Sequence, residues 1–238
     1  MRAAPFHSFG APLIKGRFVR REKRFLAHVL LPDGTPSIAH CPNTGSMKSC
    51  LQEGAPVILH DSLNPDRKYP LTLKAIRIGR HWVGVDTGVP NRLGELALKT
   101  GYLPAFEGCV EVARERYISE HTRIDLFARA PDLPDLYVEV KNVTLVEDGA
   151  ARFPDAVTSR GLKHLEELAR LVGEGKRAAM LYVVQRGDGN FFEPARDIDP
   201  AYAAGLEMAA RSGVGIIALA CKVTERGVSL GKPLPVRL

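Results

Sequence analysis

At 238 residues the chain is long enough for one or two domains, each with a sizeable core. Its 45% hydrophobic and 25% charged residues exclude a disordered or fibrous chain. The net charge of +6 is unevenly placed: residues 1–85 carry 13 Lys+Arg against 5 Asp+Glu, and residues 86–238 carry 20 against 22.

A basic first third suits a polyanion, through phosphate contacts and counterion release; the acidic groups belong to the rest. The segment Met1-Arg-Ala-Ala-Pro-Phe-His7 lacks the apolar core of a signal peptide. The longest apolar stretch, 214–221, is far too short to span a bilayer. Cys41, Cys50, Cys109 and Cys221 have no Cys-x-x-Cys spacing, so free thiols in a reducing cytoplasm are expected.

Residues 1–12 hold two prolines and little pattern and read as a loose arm. Residues 13–31 alternate apolar positions with Lys15, Arg17, Arg20, Arg21, Lys23 and Arg24, which fits two strands joined by a basic turn at 21–23. Pro32-Asp33-Gly34 is a further turn. Strands are expected at 37–40, 57–60, 71–78 and 82–85. Five or so short strands without a helical pattern predict a small barrel of the oligonucleotide-binding (OB) kind, or an open sheet capping a second domain. Between them, Asn43-Thr44-Gly45 is a turn whose amides also suit close approach to a phosphate, with Lys48 nearby.

A boundary falls at 86–89. Pro90 opens a helix that runs to Lys99, and Gly101 caps it. Strands follow at 109–116, 122–128 and 136–141. Leu162, Leu165, Leu168, Ala169 and Val172 form the stripe of a second helix over 156–172, ended by Gly173 and Gly175. The continuous apolar run 178–184 is a buried central strand. Asp199-Pro200 opens a third helix, and 214–220 is another buried strand.

Chemistry concentrates at 123–144. Period-2 alternation puts Tyr137, Glu139 and Lys141 on one face, and Leu136, Val138 and Val140 on the other. Folding the hairpin about position 132 sets Asp125 opposite Glu139. Two carboxylates and an ammonium at one spot can hold a hard cation, Mg²⁺ or Mn²⁺, and assist phosphodiester hydrolysis. An ordinary half-exposed sheet face is the alternative. Arg160, Lys163 and His164 share a face of the second helix, suited to a phosphate near the cluster or simply solvated. His164 has no His or Cys partner at metal-ligand spacing. No Walker loop or Gly-x-Gly-x-x-Gly is present.

Several segments together resemble the sugar fermentation stimulation protein A (SfsA) family. They are Lys23-Arg-Phe-Leu-Ala27, His40-Cys-Pro-Asn-Thr-Gly45, Asn91-Arg-Leu93, Arg123-Ile-Asp125, Val138-Glu-Val-Lys141 with Val143-Thr-Leu145, and Phe153-Pro-Asp-Ala-Val-Thr158 with Arg160-Gly161 and His164-Leu165. The resemblance implies an α+β, α/β two-domain chain. An OB-like β-barrel (1–85) is followed by a mixed-sheet α/β domain (86–238) similar to the PD-(D/E)xK nuclease fold. It implies DNA binding with little sequence preference and a role in regulating sugar (maltose) utilisation genes. It also puts Asp125, Glu139 and Lys141 on the nuclease motif. Asn142 departs from the serine usual in the family. The extra acid that many such nucleases carry on their first helix has no clear counterpart, with Glu95 and Glu111 as candidates.

The reading is therefore a cytoplasmic DNA-binding protein with a Mg²⁺-dependent nuclease site, RNA left open. Asp125 and Glu139 are the expected metal ligands, and both are catalytic together with Lys141. Lys15, Arg17, Arg20, Arg21, Lys23, Arg24, Asn43, Lys48, Arg123, Arg160, Lys163 and His164 are the expected nucleic-acid contacts. The alternatives are a DNA-binding regulator without hydrolysis and an α/β enzyme on a small phosphorylated substrate. No membrane partner is expected, and the oligomeric state, a homodimer included, is open.

Overall fold

The computed structural model describes residues 3–119 and 122–238. After β1 (Phe6–Ser8) come six strands: β2 (Leu13–Glu22), β3 (Leu26–Leu30), β4 (Pro36–His40), β5 (Pro56–Asp61), β6 (Leu71–Ile78) and β7 (His81–Gly84). They lie in the order β4-β3-β2-β5-β6-β7. A parallel bridge from His40 to Thr72 joins β4 to β6, so the sheet curls into a barrel rather than lying open. Alternate residues of these strands fill it, among them Phe18, Val29, Val57, Leu59, Leu73 and Ile76. The basic turn between β2 and β3 is tight: Lys23 and Arg24 both take positive φ, 49° and 63°.

The second half begins with α1 (Val89–Thr100), β8 (Glu111–Tyr117), β9 (Arg123–Ala130) and β10 (Leu133–Val143). There follow β11 (Leu145–Glu147), β12 (Ala150–Phe153), α2 (Ser159–Gly173), β13 (Arg177–Val184) and β14 (Phe191–Pro194). The chain then forms α3 (Pro200–Arg211), β15 (Gly215–Thr224) and β16 (Gly227–Pro233). Seven strands make a mixed sheet, β1-β16-β15-β13-β10-β9-β8, parallel only among β10, β13 and β15.

The sheet is covered on both faces, which explains why β13 reads as an unbroken apolar run. On one face, Leu93, Ala97 and Leu98 of α1 meet Leu126, Val138, Val140 and Leu181, and Ile58 and Ala75 of the barrel join the same core. On the other, Leu165, Leu168 and Leu171 of α2 and Tyr202 and Leu206 of α3 pack on Met180, Tyr182 and Ala218. The architecture is thus an OB-like barrel followed by a mixed α/β domain.

Three expectations need correction. The segment 1–12 is not wholly a loose arm, because β1 pairs antiparallel with β16 at the far edge of the large sheet. The second helix starts at Ser159 rather than 156, where the Thr158 hydroxyl accepts the Gly161 amide and sets its first turn. The second half also holds strands beyond those expected: β16, and β11, β12 and β14, which form a separate small sheet. All four cysteines are free. No helix among the described residues is long and apolar enough to cross a membrane.

Candidate active site

The hairpin β9–β10 pairs Ala128 with Leu136, Phe127 with Tyr137 and Leu126 with Val138. One step further along this register, Asp125 meets the Glu139–Val140 segment. There the carboxylate takes a ladder partner: the Val140 amide donates to Asp125 Oδ2 at 2.9 Å. Asp125 Oδ1 accepts from the Asn91 amide at 3.0 Å, in the first turn of α1. The alternation of β10 is as expected: Leu136, Val138 and Val140 enter the α1-side core while Glu139 turns to α2.

Glu139 is buried, 2% exposed, and its Oε1 accepts from Lys141 Nζ at 2.6 Å and contacts His164 Nδ1 of α2. Its other oxygen, Oε2, is buried with no partner. An unpaired buried carboxylate oxygen is costly and marks a missing partner. Burial, and then the Glu139 charge, push the Asp125 carboxyl up to about 6. Burial acts on Glu139 too, but the His164 hydrogen bond and the Lys141 charge outweigh it and hold its carboxyl below the usual range.

This donor set fits one hard divalent ion. Carboxylate oxygens are the preferred donors of Mg²⁺ and Mn²⁺. One oxygen is orphaned, and burial and then the Glu139 charge raise the neighbouring carboxyl, a load that a cation would relieve. Mg²⁺ commonly takes one or two carboxylates, with waters and phosphate completing its shell. Among the described residues no group of three or more His, Cys, Asp or Glu side chains is placed to hold an ion. Glu95 is engaged with Lys99 at 2.6 Å, and Glu111 with Arg129 at 3.0 Å. From α1 it is Asn91, not an acid, that reaches Asp125.

Glu115 would face Asp125 across β8–β9, between the pairs Arg114–Leu126 and Arg116–Ile124. It instead adopts a φ of 55°, and its carboxylate pairs with Arg123 at 2.9 Å. That kink keeps a third carboxylate out of the cluster.

Four expected nucleic-acid contacts converge beside the cluster. Arg123, Arg160, Lys163 and His164 line a cavity of about 480 Å³ with Tyr117, Thr122 and Ser159. The Arg160 Nε–H donates to His164 Nε2 at 3.3 Å, so His164 is the wall between this cavity and Glu139.

The barrel cations are dispersed. Lys15 pairs with Glu225 at 2.7 Å, Arg17 donates to the Gly54 carbonyl at 3.1 Å, and Arg20 pairs with Glu22 at 2.9 Å. Lys23, Arg24 and Lys48 are exposed. Arg21 donates to the Gly45 carbonyl at 2.6 Å and keeps a second, buried nitrogen without a partner. Asn43 is buried, and its side-chain oxygen accepts the Gly45 amide at 2.8 Å.

That barrel loop is in turn bound by the second domain. Asp155 Oδ2 accepts from the Ser46 amide at 2.8 Å, the Ser46 hydroxyl at 2.9 Å and the Met47 amide at 3.3 Å. Gly45 packs so closely that a Cβ there would lie 2.9 Å from the same oxygen. A cavity of about 180 Å³, lined by Asn43, Thr87, Asn142 and Arg152 among others, lies between this loop and the end of β10. Sequence reasoning missed Asn91 and Asp155 as individual contributors. Both lie in segments that carry the resemblance, which was their only signal.

Comparison with known proteins agrees with this arrangement. Residues 19–85 match the SfsA N-terminal OB domain, and residues 88–227 match the sugar fermentation stimulation protein RE domain. A sugar fermentation stimulation protein homolog of Rhodospirillum rubrum is 48% identical over 96% of this chain and 98% of its own. A homolog of the same name from Pelobacter propionicus is 47% identical over 95% and 98%. The structure of Pyrococcus furiosus SfsA in complex with Ca²⁺ superposes with a TM-score of 0.86 at 26% identity, covering 96% of this chain and 97% of that one. With its barrel, its mixed-sheet domain and relatives matched along nearly their whole length, the chain belongs to the sugar fermentation stimulation protein (SfsA) family, an OB domain followed by a restriction-endonuclease-like domain.

Proposed function

We propose that this protein binds DNA with little sequence preference and hydrolyses phosphodiester bonds at Asp125, Glu139 and Lys141 with one Mg²⁺ or Mn²⁺ ion. The observation that carries the reading is the orphaned, buried Glu139 Oε2 beside a second carboxylate whose proton affinity is raised by burial and then by the Glu139 charge. The Ca²⁺ in the Pyrococcus furiosus relative supports a divalent ion.

Asp125 and Glu139 would hold the ion. Bound, it supplies positive charge to a phosphoryl oxygen and acidifies the attacking water. The chain supplies the rest. Asn91 and the Val140 amide fix the Asp125 carboxylate, and His164 fixes Glu139 from the α2 side. Lys141, held against Glu139 Oε1 at 2.6 Å, would bring the ammonium of the cluster to the phosphate, where it orients water or offsets charge on the phosphorane. Residues 1–85 act as the basic module that grips the backbone, and residues 86–238 as the domain that cuts it. A cytoplasmic place suits four free thiols.

A second reading, a DNA-binding regulator of sugar-utilisation genes that does not hydrolyse, is favoured by a cluster that holds two carboxylates among the described residues. Purified protein is incubated with plasmid DNA and Mg²⁺ or EDTA, beside Glu139→Gln and Lys141→Met. The nuclease reading expects metal-dependent cleavage, reduced about 100-fold or more in each variant. Salt-sensitive binding with no cleavage in any metal leaves the regulator.

A further inference from the structure

Beside the cluster, the cavity of about 480 Å³ falls within the range of about 300–1,000 Å³ usual for small-molecule sites. Arg123, Arg160 and Lys163 supply three cations, and Thr122 and Ser159 supply two hydroxyls. Of the other two lining residues, His164 is buried against Glu139, and Tyr117, at the end of the edge strand β8, is 67% exposed. An exposed ring set among cations complements a partner with a π face and a negative charge. The Arg123 guanidinium sits 5.6 Å from the centre of the Tyr117 ring and covers part of one side.

We infer that this cavity is a subsite for one unpaired nucleotide, its base stacked on Tyr117 and its phosphate held by Arg160 and Lys163. The preferred polymer is therefore single-stranded or frayed nucleic acid rather than intact duplex. A paired base presents only its edges in a groove, whereas an exposed ring lining a basic cavity offers a face on which an unpaired base can stack. The inference rests on the proposed function for the identity of the polymer, and it deepens that reading. His164, shared by the cavity and Glu139, puts the subsite one residue away from the cluster.

The test reads binding, not cleavage. Fluorescence anisotropy in EDTA compares a labelled single strand and the matching duplex on wild type, Tyr117→Ala, Tyr117→Phe and Lys163→Ala. Thermal melts confirm that all four are folded. Tyr117→Ala should weaken the single strand about tenfold and leave the duplex within about twofold, and Tyr117→Phe should restore the loss. Lys163→Ala should weaken single-strand binding and flatten its salt dependence by about one phosphate contact.

A 2-aminopurine base in the strand should be quenched by wild type and by Tyr117→Phe but not by Tyr117→Ala. The subsite is overturned if Tyr117→Ala changes neither polymer, changes both equally, or is matched by Tyr117→Phe. Because EDTA removes hydrolysis, a protein that never cuts DNA still passes or fails this test. Conversely, metal-dependent cleavage with Tyr117→Ala binding as wild type sinks the subsite alone.

Discussion

Asp125 stores an electrostatic load that an ion would relieve. Its folded carboxyl is held at about 6 against an ordinary 3.8, by burial and then by Glu139. The folded state therefore binds this proton more tightly than the unfolded chain does. Its contribution favours folding at low pH and is lost as pH rises from about 4 to about 6. At pH 7.5 the deficit is about 2–3 kcal/mol. Asp125→Asn keeps an acceptor for the Val140 amide and should raise the metal-free melting temperature at pH 7.5 by about 5 °C. It should also abolish any further rise with Mg²⁺. Glu139 has the opposite sign, its carboxyl being lowered, so its stabilisation is present above the ordinary value and fades in acid. For that reason single variants at fixed pH, rather than a wild-type pH profile, isolate Asp125. Asn91→Asp should do the reverse. Replacing the donor to Asp125 by a third carboxylate should lower the metal-free melting temperature and enlarge the Mg²⁺-dependent rise, both read by calorimetry. This much of the site was legible because hairpin arithmetic depends only on turn position and period 2, and both sides held. The nearness of His164 to the cluster was expected, but its direct contact with Glu139 was not, since contact across two elements leaves no spacing in the chain.

Asp199 ties two helices together. Its Oδ1 accepts the Tyr202 amide and so caps α3, while its Oδ2 accepts the Thr158 amide at 2.8 Å, the residue that caps α2. The side chain is 4% exposed, so neither donor finds water when it is removed. Asp199→Ala should cost about 2–4 kcal/mol, more than an ordinary cap, because it strands amides at two helix starts. Asp199→Asn retains one acceptor and should cost about half as much, measured by urea unfolding. Equal losses in the two variants would mean that the charge, not the pair of bonds, matters. At this scale the sequence was informative where an element is long or punctuated. Pro90 and Gly101 bounded the first helix, a leucine stripe marked the second, Asp199-Pro200 opened the third, and β13 showed the seven-residue apolar run 178–184. The small sheet was missed because β11, β12 and β14 span three or four residues each, too few for alternation to appear. Likewise β1 offers only Phe6, His7 and Ser8, and its pairing with β16 is made across the whole length of the chain.

In the whole molecule the barrel and the α/β domain share one apolar core, which composition could not reveal and which should make them unfold together. Ile58 and Ala75 of the barrel lie in the same apolar core as α1 and the large sheet, and Trp82 packs against it. A polar seam runs beside that core. Arg186, 3% exposed, is paired with Asp188 at 2.6 Å and donates to the Thr144 carbonyl at 2.9 Å and the Ser49 hydroxyl at 3.0 Å. The Gly84 amide donates to the Gln185 carbonyl at 2.8 Å, and Asp155 holds the barrel loop at Ser46 and Met47. Burial of apolar surface is the larger and less directional contribution, whereas each neutral hydrogen bond adds only about 1 kcal/mol net. Two consequences separate the seam from the core. Trp82 is the single tryptophan, so its fluorescence reports the barrel side of the interface, and far-UV circular dichroism reports the whole. In wild type the two should unfold in one coincident transition. Asp155→Ala removes an acceptor from three donors and frees the loop, so amide exchange at Ser46 and Met47 should accelerate by an order of magnitude or more. The global stability should fall by only about 1–3 kcal/mol, and the two transitions should still coincide, because the apolar contact is intact. If instead they separate in Asp155→Ala, the seam and not the shared core is what couples the halves, and the barrel is a module docked by its loop alone.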